Sequence, residues 1–516
     1  GIEINASCTG NGLGGILETD FELADLSDTT NPLGIAADGR VVFHELGGHG
    51  VLYEHVNSAN FGFAHSAGDG IAAIDHDPDS QAPDRFLTFP WITAGRRHDR
   101  DPAAGWAWAG VQDDAGYGAE QILATSHFRI YRAIGGDSTS VTTRRFAARF
   151  MTYLILRAIG TLTPATNPSN ASGFVTALLA ADLGDWTSEG HFGGAYGKVI
   201  RWAFEEQGLF QAAGTSPPIT GPGAPPPVDV YIEDGRHGEY GYLANHWSNT
   251  SVWNRLAADG GTAHETPIVG VTNYAYVRVR NRGTETATNV QVRGFHCKPS
   301  AGLVWPDDWQ AMATPQLAGS DLPPNDTGEI IVGPFEWIPS QVGHECMLMI
   351  ASAAGDASNA DLFGAGDSIP EWRLVPHDNN IAQRNVAPVA GGGGFGGLVA
   401  SFAGRPMWVA NALGRKVGVE VEVRLPAFLA RRGWRLEVTS AGGRRFTLEP
   451  GQEKRLVLRL VPGTEFPRAE VQGLPSAERT IDVLVAEDGI LVGGMSYEVD
   501  PELESPPVER RERGEA

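Results

Sequence analysis

At 516 residues, with 42% hydrophobic and 20% charged residues, the chain has a globular composition and a length that calls for about three domains of roughly 100–200 residues each. Its formal net charge of -23 argues against nucleic acid or an anionic membrane as partner, since both reward clustered Lys and Arg. No apolar run reaches the roughly 20 residues of a membrane-spanning helix; the nearest, FMTYLILRAIG at 150–160, is interrupted by Arg157.

The chain opens at Gly1 without a charged or apolar leader, so any signal peptide or pro-segment is expected to have been removed or to lie outside this sequence. Cys8, Cys297 and Cys346 contain no CxxC pair, which excludes a thiolate zinc knuckle.

In chain order, the first chemistry-bearing stretch is VVFHELGGHGVLYEH, Val41 to His55. Two histidines with a glutamate beside the first are the elements of a zinc hydrolase helix, but His44 and His49 are five apart where HExxH has four. Five residues of regular α-helix subtend about 500°, so the two imidazoles would diverge by roughly 140°. A π-type bulge restores the register, and Gly47-Gly48 is where the backbone absorbs one most readily; this predicts a bulged helix there. The alternative is a cap and a turn residue near a strand end. Next, NFGFAHSAGDGIAAI at 60–74 places His65 and Asp69 four apart at the start of an apolar helical run. Glu54 is a second choice for third ligand if His65 points elsewhere. RRHDRD at 96–101 offers either an Arg for substrate and an Asp to orient a histidine, or a solvated loop. His127 lies inside a predicted helix and reads as structural.

Helical periodicity continues at 120–134, ending at Gly135-Gly136, and at 143–160, 172–183 and 195–210. Residues 1–211 therefore read as a mainly α-helical lobe of α+β class. Residues 212–227 are rich in Pro and Gly and read as a linker. Alternating strands such as YAYVRVRNRG, EIIVGPFEWI and CMLMIAS then predict a β-sandwich over 228–388. A Gly-rich linker at 389–397 leads to a second β domain over 398–502 with five predicted strands, and 503–516 reads as a disordered tail. Cys297 and Cys346 fall on two strands of the first β domain, as either a disulfide or two buried thiols.

FAHSAGDGIAAI, following HELGGHG, resembles the second helix of thermolysin and fungalysin-like zinc peptidases, and the whole resemblance spans about residues 40–160. That resemblance implies a lobe in which His44, His49 and His65 hold Zn2+, with histidine where those families have glutamate. It also implies that Asp69 orients a ligating histidine and that Glu45 is the general base. DDAGYGAEQILATSHFRIYRAIGGD resembles the segment carrying an electrophilic histidine in those enzymes; here Tyr117 would donate to the oxyanion, or else pack at the helix start. HELGGHG is also similar, over about seven residues, to the HExxxH motif of dipeptidyl peptidase III, which supports metal binding without family membership. The β domains resemble Ig-like modules of exported bacterial enzymes and adhesins. The implied protein is a secreted or cell-surface bacterial zinc peptidase acting on peptides or proteins, with carbohydrate or protein as ligand for the β domains. The competing expectation is a surface binding protein with an inactive peptidase-like lobe; a third is a hydrolase of non-peptide bonds.

Overall fold

The computed structural model describes residues 6–21, 38–57, 60, 63–89, 96–114, 116–186, 190–341, 345–392, 394–439 and 443–505. The chain is multidomain, with substantial β-sheet content beside its helices. It divides into two compact units, Gly1–Pro225 with Tyr240–Tyr242, and Pro226–Glu239 with Leu243–Ala516. Most of the tail expected to be disordered, 506–516, lies outside the described residues.

The first unit begins with an antiparallel hairpin of Ala6–Gly10 and Ile16–Phe21. Helix α1, residues 39–55, follows in three consecutive parts: α-helical Gly39–Val42, π-helical Phe43–Gly50 and α-helical Val51–His55. The Asp38 side chain opens it by accepting from the Arg40 amide at 2.9 Å, which satisfies an otherwise unpaired donor. Helix α2 is Phe63–His76 and α3 is Tyr117–Tyr131, the latter running into a π-helical turn Arg132–Gly136. The turn stops at Gly135, whose φ of 145° disfavours any L side chain. Helix α4, Val141–Gly160, is capped by Ser140 on the Thr143 amide; α5, Ala171–Asp182, is capped by Asn170 on the Gly173 amide; α6 is Gly197–Glu205. Phe150, Met151, Leu154, Ile155 and Ile159 of α4 are almost wholly buried, so the most apolar predicted helix is central to this unit.

The Pro/Gly stretch after residue 211 is not a free linker. The Ile219 amide donates to the Ala109 carbonyl, Gly223 to Glu205 and Ala224 to Phe210, and Ile219 is buried. Apolar periodicity says nothing about such a segment, because its backbone groups pair with an existing body instead of forming a core of their own.

In the second unit, Asn273–Asn281 pairs with Glu329–Trp337, Val230–Tyr231 and Val252–Arg255, while Cys346–Ser352 lies between Gln291–Cys297 and Ile381–Arg384. The two sheets share one core in which Val277, Phe335 and Trp337 meet Val292, Met347 and Met349. Cys297 and Cys346 are direct cross-strand partners, both buried, and both are free thiols. A five-stranded sheet contains Val386–Ala390 and Ile490–Asp500, and a four-stranded one contains Arg435–Thr439, Glu453–Val461, Arg405–Ala410 and Ser300–Ala301. Val386–Ala390 pairs in parallel with Ile490–Asp500, and Ser300–Ala301 with Arg405–Ala410. Backbone ladders thus join strands from either side of the Gly-rich stretch at 389–397, part of which is strand and part the helix Gly394–Ser401. The unit is not divided there.

Candidate metal centre

The HELGGHG segment forms the π-helical part of α1, with His44, Glu45 and His49 buried. A π-helix completes a turn with more residues than an α-helix, so histidines five apart come to one side. The bulge expected at Gly47-Gly48 is present and extends over eight residues, Phe43 to Gly50. The imidazole centroids of His44 and His49 are 5.0 Å apart.

Helix α2 packs closely on this segment because of one glycine. A Cβ on Gly68 would stand 2.2 Å from the His44 carbonyl oxygen, so only glycine permits the approach. That contact places His65 and Asp69, to either side of Gly68, against His44. The Asp69 Oδ1 lies 2.7 Å from His44 Nδ1, and Glu45 Oε2 lies 3.0 Å from His49 Nδ1. Each carboxylate holds the proton on Nδ1 and leaves the lone pair on Nε2. His65 Nδ1 is 3.1 Å from His44 Nε2. One ligand atom from each of His44, His49 and His65 lies within 4.8 Å of the others, so the three can hold a metal ion.

The donor set fits such an ion. His49 Nε2 is buried without a hydrogen-bond partner, and a buried lone pair left empty is costly. Two nitrogens on one tetrahedral zinc, with Zn–N near 2.0–2.1 Å, stand about 3.3 Å apart, close to the 3.1 Å between His65 and His44. Burial, then the His49, His44 and Arg96 charges, pushes the His65 imidazole down to about 2, so it is neutral at physiological pH. Burial also lowers His49 against the pull of Glu45. At Asp69 burial acts to raise the carboxyl, but His44 and Arg96 together hold it below the ordinary carboxylate range.

Glu54 is not part of this group: its Oε1 accepts from the Ile16 amide of the hairpin at 3.3 Å. Tyr117, at the start of α3, is 59% exposed, with its ring centroid 5.2 Å from that of His65. His127 lies elsewhere, fully buried against Phe174 and beside Gly70, with both ring nitrogens unpaired.

Two further residues join the site, and the sequence reading gave neither this place. Arg96, offered only as a substrate or loop residue, lies 4.4 Å over the Tyr117 ring, with Nη1 3.4 Å from Asp69 Oδ2. Glu120 of α3 is buried with Oε2 unpaired, and burial, opposed by Arg96, raises its carboxyl to about 8. Helical spacing of Glu120 from Tyr117 was visible, but nothing local signals that a loop 21 residues upstream brings a guanidinium between them and Asp69.

No protein-family model matches the chain, and no curated protein does. Among solved structures it is similar to the exo-chitosanase CsxA of Amycolatopsis orientalis, at 10% identity and TM-score 0.17, over 64% of this chain and 35% of that one. A red sea bream transglutaminase matches at 11% identity and TM-score 0.13, over 52% and 34%. An Escherichia coli alpha-2-macroglobulin matches at 12% identity and TM-score 0.14, over 51% and 23%. The chain spans about a third or less of the length of these proteins, and likenesses this slight decide neither fold nor activity.

Proposed function

We propose that the first unit is a zinc-dependent peptidase lobe, and that the protein is a secreted or cell-surface bacterial hydrolase of peptides or proteins whose β portion is built of Ig-like sandwiches. The observation that carries the reading is the π-helical turn that brings His44 and His49 to one side beside His65, leaving His49 Nε2 buried and unpartnered. His44, His49 and His65 would hold the ion, which when bound supplies an acidified water and polarises a carbonyl oxygen. Glu45 Oε1, 3.9 Å from His44 Nε2, is the carboxylate oxygen not engaged by His49. It takes up a proton from the attacking water and returns it to the leaving amine. Asp69 fixes His44 from behind, and Arg96 holds Asp69 and lies over Tyr117. Tyr117, exposed and with its ring beside that of His65, would donate to an oxyanion as a carbonyl is attacked.

A second reading, a surface binding protein with an inactive lobe, draws on one observation. Glu45 has a structural task, holding His49 in its tautomer, and would be kept without catalysis. One experiment separates the two. Purified full-length protein is expected to hold close to one zinc per chain, with His65→Ala losing it and Glu54→Ala keeping it. Glu45→Gln is expected to keep the metal and lose at least about 100-fold in peptide hydrolysis, the scale of a missing general base. Metal without hydrolysis in the wild type, or no metal after refolding with zinc, overturns the peptidase reading and leaves the binding reading.

A further inference from the structure

Between residues 405 and 461 the sequence carries 12 Lys and Arg against 5 Asp and Glu, within a chain whose net charge is -23. Strand register gathers part of this surplus on one solvent face of the sheet formed by Arg405–Ala410, Glu453–Val461 and Arg435–Thr439. Leu436, Val438, Leu456, Leu458 and Leu460 turn inward and are buried, so the alternate residues Arg435, Arg455 and Arg459 stand outward with Glu437 and Glu453. Glu453 meets Lys298 at 2.5 Å, which leaves the three arginines and Lys298 against two carboxylates. Trp408 is the direct cross-strand partner of Arg455, half-buried, with the guanidinium 5.8 Å from its ring. Arg435 and Arg455 meet no carboxylate among the described residues, and Arg459 reaches Glu437 only at 3.9 Å with its side chain 73% exposed. An exposed pair at that distance contributes little and is readily exchanged for another anion.

We propose that this face binds an anionic polysaccharide of the polyuronate class, with the arginines taking carboxylates and the Trp408 indole taking the apolar face of a sugar ring. Charge complementarity selects a polyanion, since the face is a local reversal of the sign that the whole chain carries. The density of charge selects which one. Duplex DNA bears one negative charge per about 1.7 Å and is met at long range by the acidic remainder of the protein. A polyuronate has one carboxylate per ring and uncharged ring faces between, matching guanidinium groups set on a twisted sheet with Trp408, Val457 and Thr439 among them. This assignment does not depend on the metal centre.

The test uses the full chain in affinity electrophoresis through gels containing alginate, neutral dextran or duplex DNA. The wild type is expected to be retarded by alginate, not by dextran, and less by DNA. The Arg455→Glu/Arg459→Glu pair should weaken alginate binding by about tenfold or more, while Arg455→Lys/Arg459→Lys keeps most of it, which separates charge from folding. Trp408→Ala should weaken alginate binding at unchanged net charge. No retardation by alginate, equal retardation of the charge-reversed variant, or stronger binding to DNA indifferent to Trp408 would each overturn the proposal.

Discussion

Asp69 touches His44 through one carboxylate oxygen and Arg96 through the other, so a single side chain ties α2 to α1 and to the loop before α3. Asp69→Asn keeps the shape and an acceptor for His44 Nδ1 but removes the charge that Arg96 meets. Partners of this kind behind a ligating histidine are worth 10–100-fold in metal affinity. Zinc affinity measured against a competing chelator is therefore expected to fall by about that range, and an unchanged affinity would remove Asp69 from the site. His44, Glu45, His49, His65 and Asp69 were legible as candidates because ligand-type residues cluster in two short stretches, although the five-residue spacing of His44 and His49 required a bulge to bring them together. Glu45's second task was not legible: HELGGHG does not say that, in a π-turn, the glutamate reaches forward to the histidine four residues on. Nor could Glu54 and His65 be separated without the hairpin that engages Glu54.

The helix pair depends on backbone proximity at one glycine and tolerates change at another. Gly68→Ala would drive a Cβ into the His44 backbone at 2.2 Å, and no side chain can yield there. Helix α2 must move away, taking His65 with it, so both zinc stoichiometry and melting temperature should fall, with a cost of about 1–3 kcal/mol or more. Gly47→Ala meets only Ile71 and Phe43 side-chain atoms at 3.8–3.9 Å and is expected to stay within about 1 kcal/mol of wild type with its metal bound. Equal effects would mean that close approach is not what Gly68 provides. Helix α3 also carries His127, which burial, with a smaller push from His98, lowers to about 3. Its ordinary value is near 6.5, so the fold favours the neutral ring. The associated stability is fully present above pH 6.5 and is lost as pH falls from 6.5 towards 3. His98, lowered to about 4 mainly by burial, acts in the same window. His127→Leu should therefore flatten part of the decline in melting temperature between pH 6.5 and 4; an unchanged slope would show that His127 does not titrate with unfolding.

Helices, strands and one main change of composition are legible along the sequence, but averages conceal two things. A net charge of -23 hid the basic run at 405–461, and a Pro/Gly-rich composition hid the packing of 212–225. Strand alternation identifies each strand's inward face without stating its partner, which is why ladders joining Val386–Ala390 to Ile490–Asp500 could not be foreseen. The hidden packing sets where the metal-bearing unit ends. Residues 1–211 lack Ile219, 6% exposed, whose amide pairs with Ala109, and the Gly223 and Ala224 amides that pair with Glu205 and Phe210. They also lack Tyr240, 3% exposed, whose ring lies 6.2 Å from that of Trp202 on α6. Burying side chains of this size contributes about 1.5–3 kcal/mol each, so a fragment ending at 211 loses on the order of 5 kcal/mol relative to one ending at 245. For a unit of some 200 residues, where each kcal/mol moves the melting temperature by about 2–4 °C, the shorter fragment should melt about 10 °C or more below the longer. Because α6 contacts α3, and α3 carries Tyr117 and Glu120, zinc content is expected to decline with it. Calorimetry and metal analysis on the two fragments check this, and equal melting temperatures would restore 212–227 as a linker.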